Sequence, residues 1–346
     1  MIDPATLQPI TGTFLAPLIN DTGTNNWGRK EWEANFRLAR SIGMDTIILI
    51  GVEYDIGGHR QSALDPRNTT WKEDPNLFSM VFRLCEENGL KLYCGGVCDG
   101  NNVYADRPEE EIAENRQVFE MALDRFGKHK CFHGFYVTLE AIPWQYHWPE
   151  IVEGVCDAAR ALDRSKKTLI SPTFNAPRGD MASRYTPQEF GEVYGRMFDR
   201  LKGKLDACAW QDKFNDVDCK FGQMQPNVLD QWYAAAQVFH RRNGIALWGN
   251  VESFQRPSQA VGAHAYFRQA DYRNLITKIQ SASRFCEKLI TFEFFTCMSP
   301  QAEWGSAGRL LERYIEAVGI DRARVAWPQR TAPAAARSTS FEEPSS

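Results

Sequence analysis

The sequence predicts an α/β protein, a single (β/α)8 TIM barrel with a parallel sheet closed on itself, and three observations carry that expectation. Eight short apolar runs alternate with eight helical patterns. The runs are Ile10–Leu15, Thr46–Tyr54, Leu92–Cys98, Phe132–Glu140, Thr168–Phe174, Leu205–Phe214, Ala246–Phe254 and Leu289–Thr296. The segments that follow the runs are long and hold most of the Gly, Pro, Asn and Trp, whereas the turns from helix back to run are short. That asymmetry marks one elaborated face. Carboxylates also stand near the run ends, at Glu53, Glu140, Asp212, Glu252 and Glu293. Barrels of this kind place their chemistry at the C-terminal ends of the strands.

The helices are justified in order by their ends. Proline at the first position and glycine past the last is the expected asymmetry. Gly43 closes the first helix. Asp74-Pro75 opens the second and Gly89 follows it; Pro108 opens the third and Gly127 closes it. Pro149 opens the fourth. Thr186-Pro187-Gln188-Glu189 is a capping box for the fifth, with Gly203 after it. Pro226 and Gly244 bracket the sixth, and Gly319 ends the last. Residues 1–327 are expected to form the barrel domain. Residues 328–346, rich in Ala, Pro and Ser without apolar periodicity, are expected to be a disordered tail.

A chain of 346 residues exceeds the roughly 250 of a minimal barrel, so one domain with long loops fits better than two. A net charge of −4 leaves no basic stripe for nucleic acid or an anionic membrane. No stretch is apolar over the roughly 20 residues that span a bilayer. Met1-Ile2-Asp3-Pro4 shows no signal-peptide pattern, so the expected compartment is the cytoplasm. Nine cysteines at irregular spacing read as reduced core thiols. Nothing in the sequence sets the oligomeric state.

Glu140 and Glu252 end the fourth and seventh runs, and paired carboxylates across a barrel mouth suit glycoside hydrolysis. One protonates the leaving oxygen while the other attacks the anomeric carbon or activates water. Asp212, Glu293 and Glu53 are expected to bind hydroxyls or tune those acids. Asn250 shares an inward face with Glu252, two residues away. With Trp210, Gln211 and Asn175 it completes the polar candidates. Trp27, Trp144 and Trp304 lie in loops of the active face, where rings can pack on sugar C–H faces; Trp148 is assigned to the same loops. The expected partner is a carbohydrate or glycoside, with no cofactor and no metal. There is no P-loop, no G-x-G-x-x-G after the first strand, no G-x-S-x-G elbow and no lysine ending a strand as a Schiff base. Two other readings stay open. One is a metal-dependent sugar isomerase, epimerase or lyase using Glu140, Asp212, Glu252 and Glu293. The other is a non-catalytic carbohydrate-binding barrel.

Gly12-Thr13-Phe14-Leu15, Asn26-Trp27-Gly28, Ile42–Leu49, Tyr136–Glu140, Trp210-Gln211-Asp212 and Asn250-Val251-Glu252 together resemble a bacterial family of glycosidase-like TIM barrels of unassigned function. The resemblance spans about residues 10–320 and rests on the order of the pieces. It implies a carbohydrate-active barrel, with Glu140 similar in position to the acid/base and Glu252 to the nucleophile of retaining barrel glycosidases. Two positions depart from that pattern. Leu139 stands where an Asn usually precedes the fourth-strand acid, and Lys213-Phe214-Asn215-Asp216 replaces a glycine-rich continuation.

Overall fold

In a computed structural model, eight parallel strands close a barrel. The residues described are 7–16, 24, 26–51, 53–56, 59–62, 77–97, 106–139, 147–174, 185–212, 228–255, 268–302 and 306–328. The barrel strands are β1 (Ile10–Leu15), β2 (Thr46–Leu49), β5 (Lys91–Gly95), β6 (Phe132–Val137), β7 (Lys167–Ile170), β8 (Ala207–Gln211), β9 (Ala246–Asn250) and β12 (Lys288–Thr291). Their spatial order follows the chain, and β12 closes on β1.

Two antiparallel hairpins, β3–β4 (Glu53–Ile56 with His59–Ser62) and β10–β11 (Phe254–Gln255 with Arg268–Gln269), take up the ends of the second and seventh runs and parts of the stretches after them that were expected to be loop. The second run is therefore two elements. β2 stops at Leu49, where its neighbour β1 also ends, and Glu53 belongs to the hairpin rather than to a barrel strand. The eighth run is likewise divided. β12 ends at Thr291, the Phe292–Glu293 peptide is cis, and Phe294–Cys297 forms a helical turn.

Helix ends largely follow the expected chemistry. Thr186 accepts from the Glu189 amide while the Glu189 carboxylate takes the Thr186 N–H, and Pro187 sits in the first turn. Gly89 and Gly244 follow their helices with φ of 62° and 66°, a region open to glycine at little cost. At Gly95 two strand backbones approach closely. A Cβ there would lie 2.5 Å from the Leu49 carbonyl oxygen, so β2 and β5 can lie together only around a glycine.

Strand alternation sorts the side chains into two cores. Phe14, Ile48, Tyr93, Tyr136, Leu169, Ala207, Ala209 and Ile290 fill the barrel, with Trp248 and Phe292 packed against them. Phe14 meets Tyr136 edge to face at 5.2 Å between ring centroids. The opposite strand faces pack under the helices. Seven cysteines among the described residues are free and buried, and Cys94 is pushed up to about 12 by burial.

Trp210 shows how firmly the second core is built. Its ring stacks on Phe174 at 5.1 Å and meets Phe190 and Tyr194 edge-on at 5.0 Å each. Its indole N–H donates to His240 Nε2 at 3.0 Å, and His240 Nδ1 donates to the Ile245 carbonyl at 2.9 Å. Both imidazole nitrogens are thus occupied by a neutral ring, and burial depresses the His240 pKa to about 4. The unfolded chain takes up this proton first as pH falls, so His240 favours folding above about pH 6.5 and loses that contribution on the way to pH 4. Urea unfolding of wild type against His240→Gln should show wild type losing roughly 3 kcal/mol relative to the variant between pH 7.5 and 4. Parallel pH curves would contradict the assignment of a neutral, doubly bonded His240.

Candidate active site

At the C-terminal end of the barrel, three adjacent strands contribute an inward polar tier. Gln211 follows Ala207 and Ala209 on the inner face of β8, and Asn250 follows Ala246 and Trp248 on β9. Ser171 lies just past the end of β7. Gln211 Nε2 donates to the Ser171 carbonyl at 2.6 Å, Asn250 Nδ2 to Ser171 Oγ at 3.3 Å, and Ser171 Oγ to the Ala209 carbonyl at 2.7 Å. All three side chains are buried. Asn250 Oδ1 has no hydrogen-bond partner among the described residues.

Glu252 stands two residues beyond Asn250. The ladder continues past the end of β9, because Val251 N–H donates to the Ile290 carbonyl at 2.8 Å and Ser253 N–H to that of Phe292 at 2.9 Å. The alternation therefore carries Glu252 onto the same face as Asn250. Its own N–H donates to Asp212 Oδ2 at 3.1 Å, and its carbonyl accepts from Lys278 Nζ at 2.7 Å. Lys278 Nζ is also 3.1 Å from Asp212 Oδ1, with both side chains fully buried. One ion pair thus grips both polar atoms of the Glu252 backbone.

This arrangement corrects two sequence expectations. Trp210, Gln211 and Asp212 are consecutive and cannot share a face. Gln211 points inward, whereas Trp210 and Asp212 turn toward the helices, so neither is placed to touch a substrate in the mouth. Lys278 was missed. It sits in the helix Tyr272–Ser283 among buried Leu275, Ile276, Ile279 and Ala282. A lone lysine on an apolar stripe was the available signal, since buried lysines require a partner.

Glu293 is 3% exposed and held locally. One carboxylate oxygen accepts the Ala16 N–H at 3.2 Å, just past β1, and the other accepts the Thr296 hydroxyl. Burial raises its pKa to about 7 against the lowering effect of those two donors. It joins the end of β1 to the turn after β12. Trp27 is also enclosed: its indole N–H donates to the Gln301 carbonyl at 3.1 Å, and its ring packs on Trp32 at 4.9 Å. Trp148, assigned to a loop on sequence, is fully buried as the first residue of the helix Trp148–Leu162. Glu140, Trp144, Asn175 and Trp304 lie outside the described residues, and of Glu53 only the backbone is described. Among the described residues no group of three or more His, Cys, Asp or Glu stands together to hold a metal ion. No helix among them is long and apolar enough to cross a membrane.

The family described as "Domain of unknown function (DUF4434)" matches residues 10–304. This chain belongs to that family. No curated protein matches the DUF4434 chain. Among solved structures, a candidate alpha-L-fucosidase from Bacteroides thetaiotaomicron is 27% identical, with a TM-score of 0.78 over 93% of this chain and 96% of that one. A psychrophilic family 10 endo-beta-1,4-xylanase is 14% identical with a TM-score of 0.52, covering 90% and 96%. An exo-beta-1,4-mannosidase from Opitutaceae bacterium strain TAV5 is 16% identical with a TM-score of 0.52, covering 95% and 63%. The last two share the fold. The DUF4434 chain is accordingly a glycosidase-like barrel of a family without an assigned function, as its sequence motifs imply.

Two measurements test the roles given to the buried charges. Lys278→Met strands a buried carboxylate and should cost about 3–5 kcal/mol in urea unfolding. Adding Asp212→Asn should restore most of that loss, because the amide oxygen can still accept the Glu252 N–H. A double variant no better than the single would refute the pairing. Glu293 works on pH in the opposite sense to His240. Its folded pKa is raised, so its favourable contribution is complete below about pH 4.5 and is lost as pH rises through 7. Between pH 4 and 8, wild type should lose roughly 3 kcal/mol relative to Glu293→Gln. No change in that difference would place the Glu293 pKa near its ordinary value.

Proposed function

We propose that this DUF4434 chain is a glycoside hydrolase in which Glu252 is the nucleophile and Glu140 the general acid/base. The observation that carries this reading is the double grip of Asp212 and Lys278 on the Glu252 backbone. A carboxylate that attacks an anomeric carbon must be held where the sugar arrives, and fixing its main chain removes freedom that would otherwise be lost at the transition state. Glu140 lies two residues beyond Thr138, the next position of the same period-two series as Tyr136 on β6. In the chain Glu140 follows β6 and Glu252 follows β9, and in the closed sheet β7 and β8 stand between those two strands. The likeness to the candidate alpha-L-fucosidase, extending over nearly the full length of both chains, supports the same class of chemistry.

In this mechanism Glu140 protonates the leaving oxygen as the Glu252 carboxylate bonds to the anomeric carbon. Glu140 then takes a proton from water, which displaces the sugar from Glu252. Asn250 and Gln211 face the space beneath that bond. Asn250 Oδ1, without a partner among the described residues, is an acceptor for a sugar hydroxyl. Trp144, Trp304, Asn175 and Glu53 complete the proposed surroundings of the substrate.

A panel of aryl glycosides that includes an α-L-fucoside tests the assignment. On a substrate that turns over, Glu252→Gln should lower kcat/KM by at least roughly 10³-fold with an unchanged melting temperature. Glu140→Gln should cost about 10²–10⁴-fold, and less on substrates with activated leaving groups. Azide should rescue Glu252→Gly by forming a glycosyl azide. A carboxylate separation near 5–5.5 Å goes with retention and one of about 6.5–9.5 Å with inversion. Turnover unaffected by either Gln variant would overturn the proposal, and activity lost to a chelator and restored by a divalent ion would favour the isomerase class.

A further inference from the structure

Beside the proposed site lies an open groove of about 530 Å³, a size suited to a sugar unit. It is framed by the β10–β11 hairpin, the start of the helix Tyr272–Ser283, and the helix Ala307–Ala317. Its connection to the mouth is short. β10 begins two residues after Glu252, and Ala270, in the groove wall, donates its N–H to the Ser253 carbonyl at 2.7 Å.

The charge of this groove opposes that of the chain. Among the described residues, Arg273, Arg309 and Arg313 line it with one acid, Asp271, in a protein of net charge −4. Asp271 Oδ1 is already 3.3 Å from Arg273 Nε. Among the described residues neither Arg309 nor Arg313 pairs with a carboxylate. The Arg313 guanidinium lies over the Tyr272 ring, 3.8 Å from its centre, which orients its edge without satisfying its N–H donors. Arg309 and Arg313 are one helical turn apart, so both project from one face. Two such planar forks match the oxygens of a carboxylate or a sulfate. Amide and hydroxyl groups of Gln269 and Ser306, bonded to each other in the wall, suit sugar hydroxyls.

We propose that this groove binds the acidic group of a sugar, a uronate carboxylate or a sulfate ester, and so selects acidic glycosides. The word "glycosides" rests on the hydrolase reading; the binding does not. The test is equilibrium binding of D-glucuronate, D-galacturonate, D-glucose 6-sulfate, inorganic sulfate and D-glucose to the full chain, followed by NMR at low and high salt. Acidic sugars should bind at least about tenfold more tightly than glucose. Arg309→Ala/Arg313→Ala should remove that margin at unchanged melting temperature, and Arg309→Lys/Arg313→Lys should retain part of it. A preference for the uronates identifies the carboxylate, and a preference for the 6-sulfate identifies the ester. Equal affinity for glucose, full affinity in the double Ala variant, or inorganic sulfate binding as tightly as any acidic sugar would overturn the proposal. Arginine-dependent binding with no Glu252-dependent turnover would keep this site and remove the hydrolase reading. Glu252-dependent turnover indifferent to the acidic group and to both arginines would do the reverse.

Discussion

The corner between β8, β9 and the helix that follows them depends on one buried ion pair, Asp212 with Lys278. At the start of β9 the Ala246 N–H, facing β8, donates to the carbonyl of Asp206, the residue before that strand, at 2.9 Å. β8 ends at Gln211, so the Glu252 N–H would meet no ladder carbonyl. The Asp212 side chain supplies the missing acceptor. A lone carboxylate at full burial would be costly, and Lys278 compensates it. The ammonium has donors to spare and spends one on the Glu252 carbonyl. Replacing the pair with apolar groups of equal volume could preserve packing, but it would release both backbone atoms of Glu252. The pair is better understood as a device for position than as a source of stability.

Around that corner, the period of two assigns different work to neighbouring residues. Inward positions run from an aromatic filling through the Ser171–Gln211–Asn250 tier to Glu252. Outward positions pack the helices, and Trp210 is the clearest case, seated among Phe174, Phe190 and Tyr194 with its N–H satisfied by His240. The tier below Glu252 is rigid because its donors are spent within the protein. One inward acceptor, Asn250 Oδ1, lacks a partner among the described residues. A polar wall with so little unsatisfied capacity can discriminate, since a ligand must offer a donor at that place to enter without loss.

Charge is arranged on the same principle of locality. The chain is acidic overall, yet three arginines converge where β10–β11 leaves the barrel close to Glu252. Like charges gathered on one groove raise the potential there and repel one another, and a bound anion relieves that repulsion. The hairpin that bears part of this wall is an insertion after a barrel strand, the place where this architecture varies its substrates.

The sequence by itself determined the barrel. Eight apolar runs, the Thr186–Glu189 capping box and the glycines after the helices are local signals, and local hydrogen bonding and burial obey them directly. It also singled out Glu252 and Asn250 as inward neighbours, because strand alternation is a property of the chain. Tertiary structure decided the rest. Trp210 and Asp212 look like mouth residues until the register of β8 turns them outward. The run Thr46–Tyr54 looks continuous until β2 runs out of a partner beyond Leu49 and Glu53 joins a hairpin. Lys278 is 66 residues from Asp212 in the sequence, and no local pattern links them. Ion pairs, polar tiers and converging arginines depend on which distant side chains meet, and only closure of the barrel brings them together.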